Sequence, residues 1–188
     1  MRFLRQWRAE RLLQRRALQF VERIGVEPEA GDVAWLAATA TRGDEDHARW
    51  ELRYARAAIG LLVAQRDALD DRTASVVGRA LSDRFERDER IAGDRRELAE
   101  RQFNARLSAY RDAFASRGAP ARALPGQTLL AFAGGAFRGA DEQVARASAI
   151  LALYEREANE ALRAEFGAAA LPENVAPSAL LEQADSAI

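Results

Sequence analysis

The first candidate for acid–base chemistry in this chain is a single histidine. His47 is the only histidine, and it ends the acidic run DEDH at positions 44–47. A histidine base in a catalytic triad needs a nucleophile and an orienting acid beside it, and no nucleophile can be identified here. One histidine is also too few for the paired Glu-x-x-His ligands of a di-iron bundle. We interpret His47 as a solvent-facing residue in the first turn of a helix.

A second candidate for chemistry is a cluster of three aspartates. Asp67, Asp70 and Asp71 lie within one helical turn and a half. Carboxylates of this kind can hold Mg²⁺, which keeps several of its waters when bound. The cluster would suit a small helical ligand-binding or Mg²⁺-dependent enzyme domain. The simpler interpretation is a solvated helix end, because aspartates are mostly exposed.

The residue types that are missing exclude several classes of site. All 28 basic residues are arginine, so the chain has no lysine for a Schiff base or for a GxxxxGK[ST] phosphate loop. It has no cysteine, which excludes a thiolate nucleophile and sulfur-ligated zinc or iron–sulfur centres. We expect no catalytic residue, no metal and no cofactor. Exclusive use of arginine is typical of GC-rich codon usage, which points to a bacterial source.

The stretch that must position these candidates is residues 44–71. Trp50, Tyr54, Ala57 and Leu61 recur at helical spacing, and a second apolar stripe runs beside them, made of Leu52, Ala55, Ile59, Leu62 and Leu69. Two stripes cover more of the helix than an ordinary surface helix buries. This stretch is therefore predicted to be a central helix with neighbours on more than one side.

Further amphipathic stretches predict the remaining helices. Long ones are expected at residues 73–90, 95–117 and 142–166, and short ones at residues 33–41 and 128–133. Polar residues at the starts predict N-caps, namely Asp32, Thr73, Asp94 and Asp141. At the start of the central helix, the carboxylates of Asp44, Glu45 and Asp46 are expected to accept the unpaired backbone N–H groups. Two ion pairs, Asp83 with Arg87 and Glu86 with Arg90, are expected on the solvated face of the helix at residues 73–90.

No segment alternates in the manner of a strand, and hydrophobic residues at 48% with charged residues at 30% indicate a globular chain. The predicted fold class is all-α: a bundle of about four long helices, with a basic amphipathic N-terminal helix and a short C-terminal helical tail. The predicted divisions are an N-terminal helical arm at residues 1–24, a bundle domain at 32–167 and a C-terminal tail at 168–188.

The first 24 residues combine positive charge with aromatic side chains. They hold seven arginines and two glutamates, a net charge of +5, so the other residues carry −6. A helix at residues 2–24 would place apolar side chains on one side and arginines on the other. Such a helix suits a partner's groove, an anionic membrane surface, or the protein's own body. The residues expected to make contacts with a partner are Phe3, Arg5, Trp7, Arg8, Arg15 and Arg16.

These patterns favour a non-catalytic accessory or scaffold subunit of a larger protein assembly. Partners would bind the basic N-terminal helix and the Pro-punctuated C-terminal tail. An enzyme or ligand-binding domain built on the aspartates remains an alternative, as does an anionic-lipid or nucleic-acid binder acting through the N-terminal helix. Neither nucleic acid nor a small-molecule substrate is the expected partner, because most arginines outside that helix have acidic neighbours. We expect a cytoplasmic chain that could associate peripherally with a membrane.

Overall fold

Seven α-helices, and no strand, make up the part of the chain that the structure describes. A computed structural model describes residues 2–68, 71–118, 122–134 and 141–167, and the side chains of these residues except those of residues 2–6. This confirms the all-α class. The helices are α1 (Arg2–Ile24), α2 (Ala30–Thr39), α3 (Glu45–Asp67), α4 (Asp71–Glu86), α5 (Arg96–Ala115), α6 (Leu124–Phe132) and α7 (Asp141–Phe166).

Helix α3 is the centre of the molecule. It packs against each of the other six α-helices, and every residue from Tyr54 to Leu61 is buried. A helix buried on all sides needs small residues where its neighbours come close. Gly60 is one, because a Cβ atom there would lie 2.4 Å from Cδ1 of Ile24 on α1. The central position predicted from the two apolar stripes is confirmed.

The boundary between α3 and α4 lies earlier than predicted. α3 ends at Asp67 and α4 begins at Asp71, so the predicted helix at residues 44–71 contains the end of one helix and the start of the next. Asp71 therefore lies in the first turn of α4, where the helix dipole favours a carboxylate. Thr73, predicted as the N-cap, is instead a buried residue inside α4.

The predicted helix starts have mixed outcomes. Asp44 caps α3, because its side chain accepts a hydrogen bond from the backbone N–H of His47 at 3.0 Å. The Asp32 cap is wrong, since α2 begins two residues earlier. The Asp94 cap is also wrong, because Asp94 lies in a 3₁₀ turn that precedes α5. Asp141 is the first residue of α7.

The remaining boundaries differ by a few residues. α6 begins at Leu124, four residues before the short helix predicted at 128–133, because Pro125 fits the first turn of a helix. α4 ends at Glu86 and α5 at Ala115, both earlier than predicted. The predicted C-terminal tail at residues 168–188 lies outside the described residues.

The second half of α1 belongs to the common core. Ala17, Phe20, Val21 and Ile24 are buried with residues of the other helices, and α1 packs against α4 and α7. The rings of Phe20 and Phe166 meet edge to face, with 6.4 Å between centroids. The division into an arm at residues 1–24, a bundle at 32–167 and a tail at 168–188 stays a prediction.

None of the helices among the described residues is both long enough and apolar enough to cross a bilayer.

Candidate functional site

The candidate site is the first half of α1, residues 7–16, where the helix carries its side chains outside the core. Nine of these ten residues are exposed, and Leu13 is half-buried. One side of this half faces α4, since Glu10 accepts a hydrogen bond from Arg72 at 3.2 Å. Four of the predicted contact residues, Trp7, Arg8, Arg15 and Arg16, lie in this half, and we call the exposed surface of residues 7–16 the α1 face.

Apolar side chains are unusually exposed on and beside the α1 face. Trp7 is 46% exposed and Leu12 is 45% exposed. The guanidinium of Arg11 lies 4.2 Å from the centroid of the Trp7 ring, a cation–π contact. Leu18, two residues beyond the face, is also exposed. Large apolar side chains exposed in this way, rimmed by charge, are typical of interaction surfaces.

Three arginines of the α1 face, Arg8, Arg15 and Arg16, are exposed. Among the residues that the structure describes, none forms a hydrogen bond or an ion pair with them. Most of the described arginines that form contacts elsewhere bond to carboxylates. The side chains of Phe3 and Arg5, the other two predicted contact residues, lie outside what the structure describes.

The structure thus brings four of the six predicted residues together on one exposed half-helix. Sequence reasoning did not single out Leu12, which sits among the arginines of the α1 face. The 3.6-residue period contained that signal, because Leu12 lies on the side of α1 opposite to Trp7 and away from the buried Ile24.

A different cluster, between α3 and α5, contains the only histidine of the chain. Glu51 of α3 is 2% exposed. Its carboxylate accepts hydrogen bonds from two nitrogens of Arg106 on α5, with Nε at 2.8 Å. Nε2 of His47 lies 3.3 Å from Oε1 of Glu51. The guanidinium of Arg106 also lies 4.6 Å from the centroid of the Phe132 ring.

This cluster acts as a clamp between α3 and α5. Burial, the largest single cause, lowers the pKa of Arg106, but the hydrogen bonds to Glu51 and the charge of Glu51, with smaller contributions from Tyr54 and Tyr110, together outweigh burial and raise it, so the guanidinium stays charged. Burial raises the pKa of the Tyr110 hydroxyl, and the charge of Glu51 raises it further. The described contacts of Glu51 are with the guanidinium of Arg106 and the ring of His47.

Sequence reasoning missed Glu51, although its position carried a signal. It lies four residues before Ala55 and eleven before Leu62, on the second apolar stripe of α3. A charged residue on a buried stripe needs a charged partner. The interpretation of His47 as a first-turn residue agrees with its place in α3, where its side chain remains partly exposed.

The aspartate cluster is divided between two helices. Asp67 accepts hydrogen bonds from Nε and a terminal nitrogen of Arg66, at 2.9 and 2.8 Å. Asp71 is in α4, and Asp70 lies outside the described residues. Among the described residues there is no group of three or more His, Asp or Glu side chains that could hold a metal ion.

A groove of about 460 Å³ separates α1 from the end of α4 and the turn that follows it. The lining charges are balanced, with three arginines and three acids. Arg90 bonds to Asp88 at 2.7 Å and also to Glu27, so its predicted pairing with Glu86 is wrong, whereas Arg87 lies 3.7 Å from Asp83 as predicted. The reason is that α4 ends at Glu86, before Arg90 can lie one turn along the same helix.

In comparisons with protein-family models, with curated proteins and with solved structures, nothing matches this chain. What the protein does must therefore be inferred from its own surface and interior.

Proposed function

We propose that this protein is a non-catalytic, all-helical accessory or scaffold subunit that binds a protein partner through the α1 face. In this proposal the four long helices α3, α4, α5 and α7 form the bundle. The basic N-terminal helix and the segment at residues 168–188 extend the contact surface. The assembly is cytoplasmic and can lie at a membrane surface.

The proposal is supported by the exposure of apolar side chains in residues 7–16 and by the lack of described ion-pair partners for three arginines there. Arg8, Arg15 and Arg16 have no carboxylate partner among the described residues, and Trp7 and Leu12 are close to half exposed. Exposed aromatic and arginine side chains are the residues that most often dominate protein interfaces. A partner with acidic and apolar side chains, presented in a groove or along a helix, would complement this surface.

The interior supports a structural role for the buried charges. Glu51 and Arg106 satisfy one another and join α3 to α5. Asp67 is held by Arg66. Acids engaged in this way are less able to bind Mg²⁺, so these contacts count against the alternative of a Mg²⁺-dependent enzyme.

The experiment is a comparison of partner capture by matched charge variants. The full chain and the triple variant Arg8→Gln/Arg15→Gln/Arg16→Gln are used as baits in the native host, and retained proteins are identified by mass spectrometry. A partner common to repeated captures is then purified and its affinity for both baits is measured. We expect the triple variant to bind it at least about tenfold more weakly, a loss of about 1.4 kcal/mol.

The control is the triple variant Arg79→Gln/Arg111→Gln/Arg163→Gln. These three arginines are exposed and lie outside α1, so the control removes the same charge from the body. Equal loss of affinity in both triple variants would show that net charge, and not the α1 face, governs binding. Undiminished affinity in the α1 variant would contradict the proposal directly.

A second candidate, binding to an anionic membrane surface, is favoured by Trp7. Its ring is exposed and contacts Arg11, and tryptophan with arginine on one helix suits a lipid interface. Cosedimentation with vesicles of anionic lipid tests this candidate. Binding that falls with salt and is lost in the α1 triple variant would favour the membrane, since Coulombic attraction is screened within about 10 Å at 0.1 M salt.

A further inference from the structure

Helix α1 continues past the point where its neighbour α7 ends. Phe20 contacts Phe166, and Nε of Arg23 donates a hydrogen bond to Glu165 at 2.7 Å. α7 then stops at Phe166, and Gly167 turns the chain with a φ of +87°. Residues 7–16 of α1 therefore lack the neighbour that covers residues 20–24.

A ridge of residues spaced four apart leads from the side of α1 that meets α7 towards the start of α1, turning by about 40° around the helix at each step. From Phe20 these steps lead to Arg16, Leu12 and Arg8, because residues four apart are neighbours on a helix surface. All three are exposed. They form a strip with one apolar residue between two guanidinium groups that have no ion-pair partner in the described part of the chain.

The sequence that follows Gly167 has the complementary composition. Residues 168–188 contain three acids and no arginine, a net charge of −3. Leu180 and Leu181 are followed at once by Glu182 and soon after by Asp185. Ser178 predicts an N-cap for a short helix that would carry apolar and acidic side chains together.

We propose that the segment at residues 178–188 of this chain binds the strip formed by Arg8, Leu12 and Arg16, beyond the end of α7. Leu180 and Leu181 cover Leu12. Glu182 and Asp185 supply carboxylates to the guanidinium groups. The segment thereby takes the place beside α1 that α7 occupies further along.

The intervening chain is long enough for this contact. Leu12 lies eight residues before Phe20, which is about 12 Å along the axis of α1. The ten residues from 168 to 177 can span up to about 33 Å when extended. Pro172 and Pro177 favour an extended path for this connection. A short tether of this kind gives the segment a high effective concentration at the strip.

The contact uses part of the α1 face, so a partner bound there must displace the segment or bind around it. The two ideas are nevertheless separable. Binding of the segment can be measured on the purified chain with no partner present, whereas the proposed function is measured with the partner.

The test uses a nitroxide label on the segment. Because the chain has no cysteine, the single variant Ser186→Cys carries the label at one position in the otherwise complete protein. Backbone amide signals of α1 are recorded with the nitroxide oxidised and then reduced. We expect the oxidised label to remove the amide signals of residues 8–16 and to leave those of α2 unchanged.

Two further samples show whether the contact depends on the acids of the segment and whether it forms within one chain. In the first, Glu173→Gln, Glu182→Gln and Asp185→Asn are added to the labelled chain, and the signals of residues 8–16 should return. In the second sample, chain that carries the nitroxide but no isotope is mixed with isotopically enriched chain that carries no nitroxide. Comparable signal loss in that mixture would show that the segment binds another chain, and no loss in any sample, or loss that survives neutralisation of the acids, would show that the acidic segment does not bind the strip; each of these results would overturn the proposal.

Discussion

The two halves of α1 are built from the same residue types but meet different surroundings. Residues 7–16 contain four arginines and residues 17–24 contain one, and both halves contain large apolar side chains. In residues 17–24 most of the apolar side chains, such as Phe20 and Ile24, are buried against α3, α4 and α7, and Leu18 is the exception. In residues 7–16, Trp7 and Leu12 remain exposed. The difference teaches that the ends of the neighbouring helices, and not local composition, decide which half becomes core.

Arginine shows the same contrast between the body and α1. Arg106 lies in the body and bonds to the buried Glu51, and Arg56 bonds to Glu157 of α7. Arg16, on the first half of α1, bonds to none of the described carboxylates. Arg106 and Arg56 therefore join helices through carboxylates, whereas Arg16 has no carboxylate partner among the described residues.

The largest expected effect compares the two halves directly. Phe20→Ala should lower the free energy of unfolding by about 3–5 kcal/mol, because Phe20 is fully buried and its removal leaves a cavity. Trp7→Ala, the matched aromatic truncation in the exposed half, should change it by less than about 0.5 kcal/mol. Urea denaturation measures both. Similar losses for the two variants would show that residues 7–16 are as firmly packed as residues 17–24.

The second prediction concerns the buried clamp. Glu51→Leu should cost about 3 kcal/mol or more, because Arg106 is left charged and unpaired. The double variant Glu51→Leu/Arg106→Met should recover most of this loss, since replacing both partners by apolar side chains of similar size is often near neutral. Arg16→Met is the control in α1 and should change stability by less than about 0.5 kcal/mol. A double variant as unstable as the single one would refute this account of the clamp.

A smaller effect is expected where the second half of α1 approaches α3. In Gly60→Ala the new Cβ atom would lie 2.4 Å from Cδ1 of Ile24, so Ile24 must move within a packed core. Overpacking of this kind costs about 1–3 kcal/mol. Gly78→Ala in α4 meets Leu61 at an ordinary 3.7 Å and should stabilise by about 0.5–1 kcal/mol through helix propensity. The midpoint temperature of thermal unfolding should therefore fall for Gly60→Ala and rise for Gly78→Ala.

Much of the fold could be predicted from apolar periodicity. The central place of α3 followed from its two stripes, and the Asp44 cap followed from local chemistry. Periodicity does not resolve where one helix passes into the next when both are amphipathic. The acidic run near Asp67 and Asp71 was for that reason assigned to one helix, although it contains the end of α3 and the start of α4.

The candidate site was predictable in part. The basic and aromatic character of α1 was visible in the sequence, but the extent of its burial was not. That extent depends on where α7 ends relative to α1, as the contact between Phe20 and Phe166 shows. Such contacts join residues far apart in the chain, and no local pattern specifies them. The partnership of Glu51 with Arg106 was invisible for the same reason.

The smallest effect is expected at the junction between α1 and α4, where carboxylates meet Arg90. The hydrogen bond from Arg90 holds the pKa of Asp88 below its ordinary value of 3.8, although burial opposes this shift. Because the folded pKa is lowered, the contribution of Asp88 to stability is complete above that ordinary value. It is lost as the pH falls through the folded pKa.

Asp88→Asn should therefore destabilise the protein at pH 7 by roughly 1 kcal/mol or less, since Arg90 is partly exposed and solvent screens the pair. The difference from the unsubstituted chain should shrink as the pH is lowered below about 4. Urea denaturation at several pH values measures it. Asp112→Asn, which removes an exposed carboxylate of α5, provides the control and should change stability little across the series. A difference that stayed constant down to acid pH would mean that Asp88 contributes through its shape and not through its charge.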